Sequence, residues 1–497
     1  MHFQLQYHSY TEIYPTKLLA LYHALRNAVV DQIVPAGTRL PSSRALAEMY
    51  GISRGTVNQV YDMLASEGYL ECQTGRGTFV SYQAPQNKAA ELKREASYTL
   101  SGWGEGLLGL PNPLLETAEE AKRWTVDFRV LASSNLEWFP AEEWHRCLHA
   151  QARILCGSDR SKHVPVSPLG DEGLRSCIAQ YLRRMRGIAV PPEQVAIFNG
   201  SMQAIALSVQ LLINGGDRVI VENPGYRGIR KAVQSVGGHC IPGDVDAQGI
   251  IPAEWNARLL FVTPNRQFPT GAVLPMDRRQ QLLRWAYEND AVLIEDDYDS
   301  EFRHRGKSLE PLKVLDREER VIYIGSFSKT LPPHVRIGYA VLPSALAGPF
   351  AAAKALYEPQ PANLLEQRTM AAWMQSGRYE RHLRRMKRIY GRKFYKLQEL
   401  LKTYLGGLFD WVEGDAGLHI FGWWRGEAEM YRSWCKACAD RGVRWSEVSV
   451  PGHALQAAVR HGAYFHFPYL AEEEMQLGVA WMRDEAERLG LLTVREN

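Results

Sequence analysis

Seven short apolar runs between residues 195 and 342, VAIFN, RVIVE, HCIPG, RLLFVT, VLIED, VIYIGS and IGYAVL, are separated by stretches of helical periodicity. This alternation constrains the chain more than any other feature. Strands alternating with helices pack as a mainly parallel sheet covered by helices. Ligands of such sheets collect outside the carboxyl ends of the strands, so the polar residues that close each run are the candidate chemistry. Lys329 follows VIYIG in GSFSKTL, and Asp296 and Tyr298 close AVLIE in EDDYDSEF. Asn199-Gly200-Ser201 opens a helix after VAIF, and Arg336 lies beyond the lysine in HVRIGY.

The 497 residues exceed what one core serves, at roughly 100 to 200 residues per domain, and imply two to four domains. A composition of 45% hydrophobic and 23% charged residues excludes wholesale disorder and collagen-like scaffolds. The longest small-apolar stretch, 345–357, is broken by Pro349 and Lys354 and falls short of the roughly 20 residues a membrane helix needs, so no span is expected. The opening MHFQLQYHSY lacks the basic and apolar regions of a secretory signal, and a cytoplasmic address is expected. Seven scattered cysteines suit reduced thiols, and the pair Cys435 and Cys438 is read as helix packing rather than a metal site. The net charge is only +3, so any surface for a polyanion must be local.

Such a surface is expected in residues 1–82. YPTKLLALYHALRNAVV places Leu18, Leu21, Leu25 and Val29 on one helical face. PAGTRLPSS is turn chemistry, and Ser42 or Ser43 can cap a helix carrying Ala45, Leu46 and Met49 that ends at Gly51. Ser53 can cap the next helix, with Val57, Val60, Tyr61 and Leu64 inward and Arg54, Thr56, Asn58 and Gln59 outward. Two short helices joined at a glycine turn are a helix-turn-helix. YLEC, QTGRG and TFVSY then read as strand, turn, strand, a wing with Arg76 at its tip. The string LPSSRALAEMYGISRGTVNQVYDMLASEGYLECQTGRGTFV closely resembles the GntR-type winged helix. Arg54 and Thr56 at the start of the second helix are candidate base or phosphate readers. By the resemblance Arg44 clamps the DNA backbone, and Arg76 and Gly77 of the wing approach phosphate or the minor groove. Residues 83–124 read as a flexible tether spanning some 35 Å, by a scaling of roughly 5 to 6 Å times the square root of length.

In the region from 125 onward, the grouped polar residues suit pyridoxal phosphate. A lysine amine can condense with an aldehyde, and an aspartate beside a ring nitrogen keeps it protonated. The backbone amides of Gly200, Ser201 and Met202 at a helix N-terminus offer a phosphate cradle, with Arg336 as a bidentate partner, and Tyr298 can donate to the ring's phenolic oxygen.

The motifs VENPGYRG, TPNRQFPTG, LIEDDYDSEFR, GSFSKTLPPHVRIGY, RHLRRMKRIY and GLH, in this order, make residues 125–490 resemble a fold type I aminotransferase. The order winged helix, linker, aminotransferase domain resembles the MocR branch of GntR regulators. The resemblance implies an α+β winged helix followed by a large α/β aminotransferase-like domain at 125–497, whose small C-terminal α+β subdomain starts near 380. It implies Lys329 as the Schiff-base lysine, Asp296 as the pyridinium partner, Tyr226 stacked near the ring, and Ser326, Ser328 and Arg336 as phosphate ligands. Phe268 stands where, by the resemblance, aminotransferases have an asparagine before the P-T-G turn that contacts the cofactor's phenolic oxygen, and Pro165 where a tyrosine would reach the partner's cofactor. The arginine that grips a substrate carboxylate is matched by Gln476, leaving Arg227, Arg230, Arg266, Arg425 or Arg444 as substitutes.

The expected function is a transcriptional regulator that binds two DNA half-sites as a homodimer exchanging its DNA domains, in the bacterial cytoplasm at the nucleoid. It would sense an amine, an amino acid or pyridoxal phosphate itself at Lys329. Two other readings are a working aminotransferase with an accessory DNA-binding domain and a regulator whose large domain only dimerises. A basic run at 378–396 reads as a solvated helix face or a second DNA contact.

Overall fold

The structure, a computed structural model, describes residues 5–83, 99–108, 123–129, 138–157, 165–306, 309–450 and 459–492. It divides into two units, Met1–Thr99 and Leu100–Asn497.

In the first unit, helices Tyr7–Ile13, Lys17–Val30, Ser43–Tyr50 and Arg54–Ser66 precede a hairpin of β1 (Leu70–Gln73) and β2 (Gly77–Val80). Leu21, Leu25 and Val29 from one helix and Val57, Val60 and Leu64 from another fill a common core. Ser42, not Ser43, caps the third helix by accepting from Ala45 N–H at 3.2 Å. Its buried face is Leu46 and Ala47; Met49 is exposed, because eight residues present only one narrow stripe to the core. The helix Tyr7–Ile13, absent from the sequence reading, docks through buried Tyr7 and through Tyr10, whose hydroxyl accepts from Asn27 at 2.8 Å.

The second unit is built on an eight-stranded sheet of β4 (Val195–Phe198), β5 (Arg218–Asn223), β6 (His239–Asp246), β7 (Gly249–Ile250), β8 (Leu259–Val262), β9 (Val292–Asp297), β10 (Val321–Ser326) and β11 (Gly338–Val341). All seven apolar runs are strands of this sheet. The order is β4-β11-β10-β9-β8-β5-β6-β7; the pairs from β10 through β6 are parallel, and β11 runs against both its neighbours. Both faces are covered, one by helices such as Ser201–Leu212 and Arg227–Ser235, the other by Met276–Glu288. That burial on both sides is why the strands read as continuous apolar runs rather than alternating ones.

A four-stranded antiparallel sheet of β12 (Phe409–Trp411), β13 (His419–Trp424), β15 (Ser446–Val450) and β16 (Arg460–His466) forms the C-terminal part. The helix Arg378–Leu405 leads into it and Glu472–Arg488 closes it. Beside this sheet, β3 (Val126–Asp127) pairs in parallel with β14 (Val443–Arg444), so the start of the large domain is stitched to its end. Within the stretch expected to be a tether, Gly102–Leu108 is helical, while 84–98 and 109–122 lie outside the described residues. Among the described residues no helix is long and apolar enough to cross a membrane.

Candidate functional site

The residues expected to hold a cofactor sit at the carboxyl edge of the sheet. Gly200 follows β4, Tyr226 follows β5, the loop 263–268 follows β8, Asp296 and Tyr298 end β9, and Lys329 lies just beyond β10. Gly200 adopts φ 95 and precedes the helix Ser201–Leu212, whose first amides have no acceptor within the helix. A Cβ at Gly200 would stand 2.5 Å from Arg336 Nη2, so the glycine is what lets the guanidinium lie over this turn. Gly338 of β11 is equally constrained, since a Cβ there would meet Ser201 N at 2.7 Å. Ser326 Oγ and Ser328 Oγ are 2.9 Å apart in the loop that carries Lys329.

Lys329 makes no hydrogen bond or ion pair among the described residues, and desolvation holds its pKa below that of an ordinary lysine. A lowered pKa raises the fraction of the amine that is unprotonated and nucleophilic at a given pH. The Asp296 carboxylate is buried and also without a hydrogen-bond partner among the described residues. Burial first, then the charges of Asp297, Glu222 and Asp299, push it up to about 7. Such a carboxylate awaits a cationic partner. Tyr226 lies within electrostatic range of Asp296, Arg336 and Tyr464, and its ring and Met202 Sδ both pack against Gly228. Lys329, Asp296, Tyr298, Tyr226, Gly200, Ser201, Met202, Ser326, Ser328 and Arg336 therefore lie along one edge of the sheet.

Glu222, Glu295 and Glu301 are likewise raised to about 7, chiefly by burial. A carboxylate whose folded pKa exceeds its unfolded value stabilises the fold fully below the unfolded pKa and loses that contribution as pH rises through the folded one. These carboxylates thus lower the stability of the ligand-free protein as pH rises from 4 to 7, opposed by the buried histidines, which raise it, and Asp296→Asn is expected to remove at most about 4 kcal/mol of the downward contribution, at 1.36 kcal/mol per pKa unit. Denaturant melts of both proteins across that range check it.

Sequence reasoning named Arg266 only as one candidate for a substrate carboxylate and passed over the groups packed around it. Arg266 is buried; its Nη1 donates to Tyr298 Oη at 2.9 Å and to Asp299 Oδ2 at 3.0 Å, and its Nη2 donates to the His419 carbonyl at 2.8 Å. His419 pairs across the small sheet with His466, and both are held neutral by burial. Asp299, one residue past Tyr298, is the nearest counter-charge to Lys329. Arg266 was visible as a cation inside TPNRQFPTG, but its burial was not. On its far side lies a cavity of about 290 Å³ between loops 270–273 and 412–416.

One expectation fails. Gln476 is exposed on the helix Glu472–Arg488, whereas the last strand is β16, and there Tyr464 faces the site with its ring 5.5 Å from that of Phe268. The apolar pattern of MQLGVAWM was helical, and the polar-aromatic strand AYFHF before it went unread. Of the candidate arginines, Arg266 is committed to Asp299, Arg425 to Asp410 and Arg444 to Asp127, while Arg227 stays exposed beside Tyr226 near Tyr464.

In the first unit, Ser53 Oγ accepts from Thr56 N–H at 3.0 Å and lies 2.8 Å from Thr56 Oγ1, so both hydroxyls serve the cap of the helix Arg54–Ser66. That frees Arg54, Asn58 and Gln59, all exposed, with Arg44 exposed on the helix before it. Arg54 Nε reaches Ser43 Oγ at 3.4 Å, tying the two helices at their outer edge. Arg76 is exposed at the hairpin tip, and Gly77 (φ 119) leaves space for Arg39, whose Nε would lie 2.8 Å from a Cβ there. Arg39 is a cation of this face that the sequence reading left out. On the helix Arg378–Leu405, Arg381, Arg384, Arg385, Lys387, Arg388 and Arg392 are exposed, and Lys393 is buried with its amine on the Pro468 carbonyl.

Residues 18–80 match the bacterial regulatory proteins of the gntR family, and residues 139–462 match aminotransferase class I and II. The chain is 32% identical to the probable rhizopine catabolism regulatory protein MocR of Rhizobium meliloti, covering 96% of this chain and 92% of that one. It is 34% identical to the pyridoxine biosynthesis transcriptional regulator PdxR of Corynebacterium glutamicum over 78% of each chain. Among solved structures it is similar to an archaeal alanine:glyoxylate aminotransferase, with TM-score 0.66, 22% identity and coverage of 78% and 98% of the two chains. It is also similar to the α-aminoadipate aminotransferase LysN of Thermus thermophilus, in complex with N-(5'-phosphopyridoxyl)-L-leucine, with TM-score 0.62, 25% identity and coverage of 75% and 95%. The winged-helix unit and the aminotransferase fold, carried on one chain that matches a regulator almost end to end, make it a MocR-type member of the gntR family of bacterial transcriptional regulators.

Proposed function

We propose that this DNA-binding regulator holds pyridoxal 5'-phosphate in the cleft at the sheet edge and senses an amine or amino acid through it. The observation that carries the reading is that a desolvated Lys329 and a buried Asp296, neither hydrogen-bonded by its side chain among the described residues, lie at the same sheet edge as a glycine turn over which Arg336 is folded. These residues fit the group. The amides of Ser201 and Met202, with Ser326, Ser328 and Arg336, hold the phosphate; Asp296 holds a proton on the ring nitrogen; Tyr298 donates to the phenolic oxygen; and Tyr226 flanks the ring. Bound there, the cofactor supplies an aldehyde that reacts reversibly with amines and a ring that accepts electrons.

Lys329 Nζ would hold the cofactor and would be the amine given up to an incoming effector amine, and Asp299 is the charge that attracts it once free. A change at that buried position shifts the population of domain arrangements only by the difference in effector affinity between them. The working form is a homodimer with two winged helices on two half-sites, exchanging its DNA domains, in the bacterial cytoplasm. The exposed arginines of the helix Arg378–Leu405 offer a further electrostatic contact to the bound duplex.

Absorbance titration of the cofactor-loaded protein against a panel of amines and amino acids, with and without the DNA upstream of its own gene, tests this. The expected outcome is a saturable change of the visible band with one class of amine, without steady keto-acid production, and with an affinity altered by DNA. Rapid turnover would instead favour a working aminotransferase, and absence of any band after addition of cofactor would favour a dimerisation scaffold.

A further inference from the structure

We propose that Arg266 is a positioning residue for the cofactor: it fixes the Tyr298 hydroxyl as a donor to the cofactor's phenolic oxygen and makes up for the amide that Phe268 replaces. The inference rests on the cofactor reading above and deepens it.

A tyrosine oxygen carries one proton and can also accept. Arg266 Nη1 occupies an acceptor position of Tyr298 Oη at 2.9 Å, and among the described residues the hydroxyl has no other hydrogen-bond partner. The hydroxyl proton is therefore directed away from the guanidinium. A donor that itself receives a charge-assisted bond is polarised and donates more strongly. The charge of Arg266 opposes the desolvation that raises the Tyr298 pKa.

The guanidinium has little freedom to leave. Asp299 Oδ2 at 3.0 Å and the His419 carbonyl at 2.8 Å fix it, and His419 is itself held by its ring Nε2 on the Pro269 carbonyl at 2.8 Å. Gly417 completes the fit, because a Cβ there would overlap Arg266 Cζ. Phe268, 5.6 Å from the Tyr298 ring and perpendicular to it, packs against the phenol but has no hydrogen to donate. The residue lost from the P-T-G turn and the arginine two positions before it thus act on the same oxygen, one by absence and the other through Tyr298.

A donor at the phenolic oxygen draws electron density from the conjugated ring and lowers its proton affinity. Losing that donor raises the pH midpoint of the visible band of the loaded protein. In Arg266→Met the midpoint is expected to rise by one unit or more, a tenfold or greater gain in proton affinity, and Tyr298→Phe is expected to raise it in the same direction. In the double variant the arginine substitution is expected to add less than half its effect in the wild type. Equal shifts from Arg266→Met in both backgrounds, or no shift in the wild-type background, overturn the proposal. Should Arg266→Met not fold, Arg266→Lys reads the same midpoint, with a smaller rise expected and an unchanged midpoint overturning it. A wild-type protein that shows no visible band after addition of pyridoxal phosphate overturns the underlying cofactor reading itself.

Discussion

Lys329→Ala is expected to abolish the visible band of the cofactor-loaded protein and to leave operator binding unresponsive to added amines. The side chain makes no hydrogen bond or ion pair among the described residues and its ammonium is desolvated, so its removal costs the fold little. Melting temperature is expected to stay within a few degrees of the wild type, as the deleted group is polar and not part of the packed apolar core. Absorbance spectra, thermal melts and amine-dependent operator binding on the same preparation separate loss of the site from loss of the fold. A variant that keeps both the band and the amine response would remove the basis of the sensing mechanism.

The second large effect is expected on DNA. Arg44 and Arg54 are exposed at the outer edge of adjacent helices, and neither side chain supports the core beneath them. Each contact to a base edge is worth roughly 1–3 kcal/mol, and loss of a phosphate contact lowers the salt slope by about one. In the proposed homodimer two copies of each are lost, so Arg44→Ala with Arg54→Ala is expected to weaken operator binding at least about 100-fold and to flatten its salt dependence. Fluorescence anisotropy over a range of salt concentrations reads both quantities. Unchanged affinity would move DNA recognition to other residues, with the hairpin cations Arg39 and Arg76 next in line.

The helix-turn-helix was legible because caps, glycines and apolar spacing are local signals: Ser53, Gly51 and the Val57–Leu64 stripe define it without reference to the rest of the chain. The sheet was legible for a related reason, since strands buried on both faces are uniformly apolar and break sharply into polar loops. The helix Tyr7–Ile13 was not legible, since its stability comes from Tyr7 docking on another helix and not from its own pattern. Lys329 and Asp296 could be given their roles by type and position, whereas Arg266 could be named only as a candidate for a substrate carboxylate, without its burial or its partners. An arginine is ordinarily solvent-facing, and only tertiary structure reveals the Asp299 carboxylate and the space at Gly417 that let it be buried. The misplaced Gln476 shows the same limit. A short apolar match such as MQLGVAWM cannot distinguish a strand from a buried helix edge, and the strand carrying Tyr464 mixes histidines and aromatics in a way that local pattern alone does not assign.

The short parallel pairing of Val126–Asp127 with Val443–Arg444 has a mechanical consequence. The polypeptide that arrives from the DNA-reading end is anchored in the lobe built mostly from the last ninety residues. Any rotation of that lobe carries Val126 and Asp127 with it, so the first strand of the large domain belongs mechanically to its last lobe.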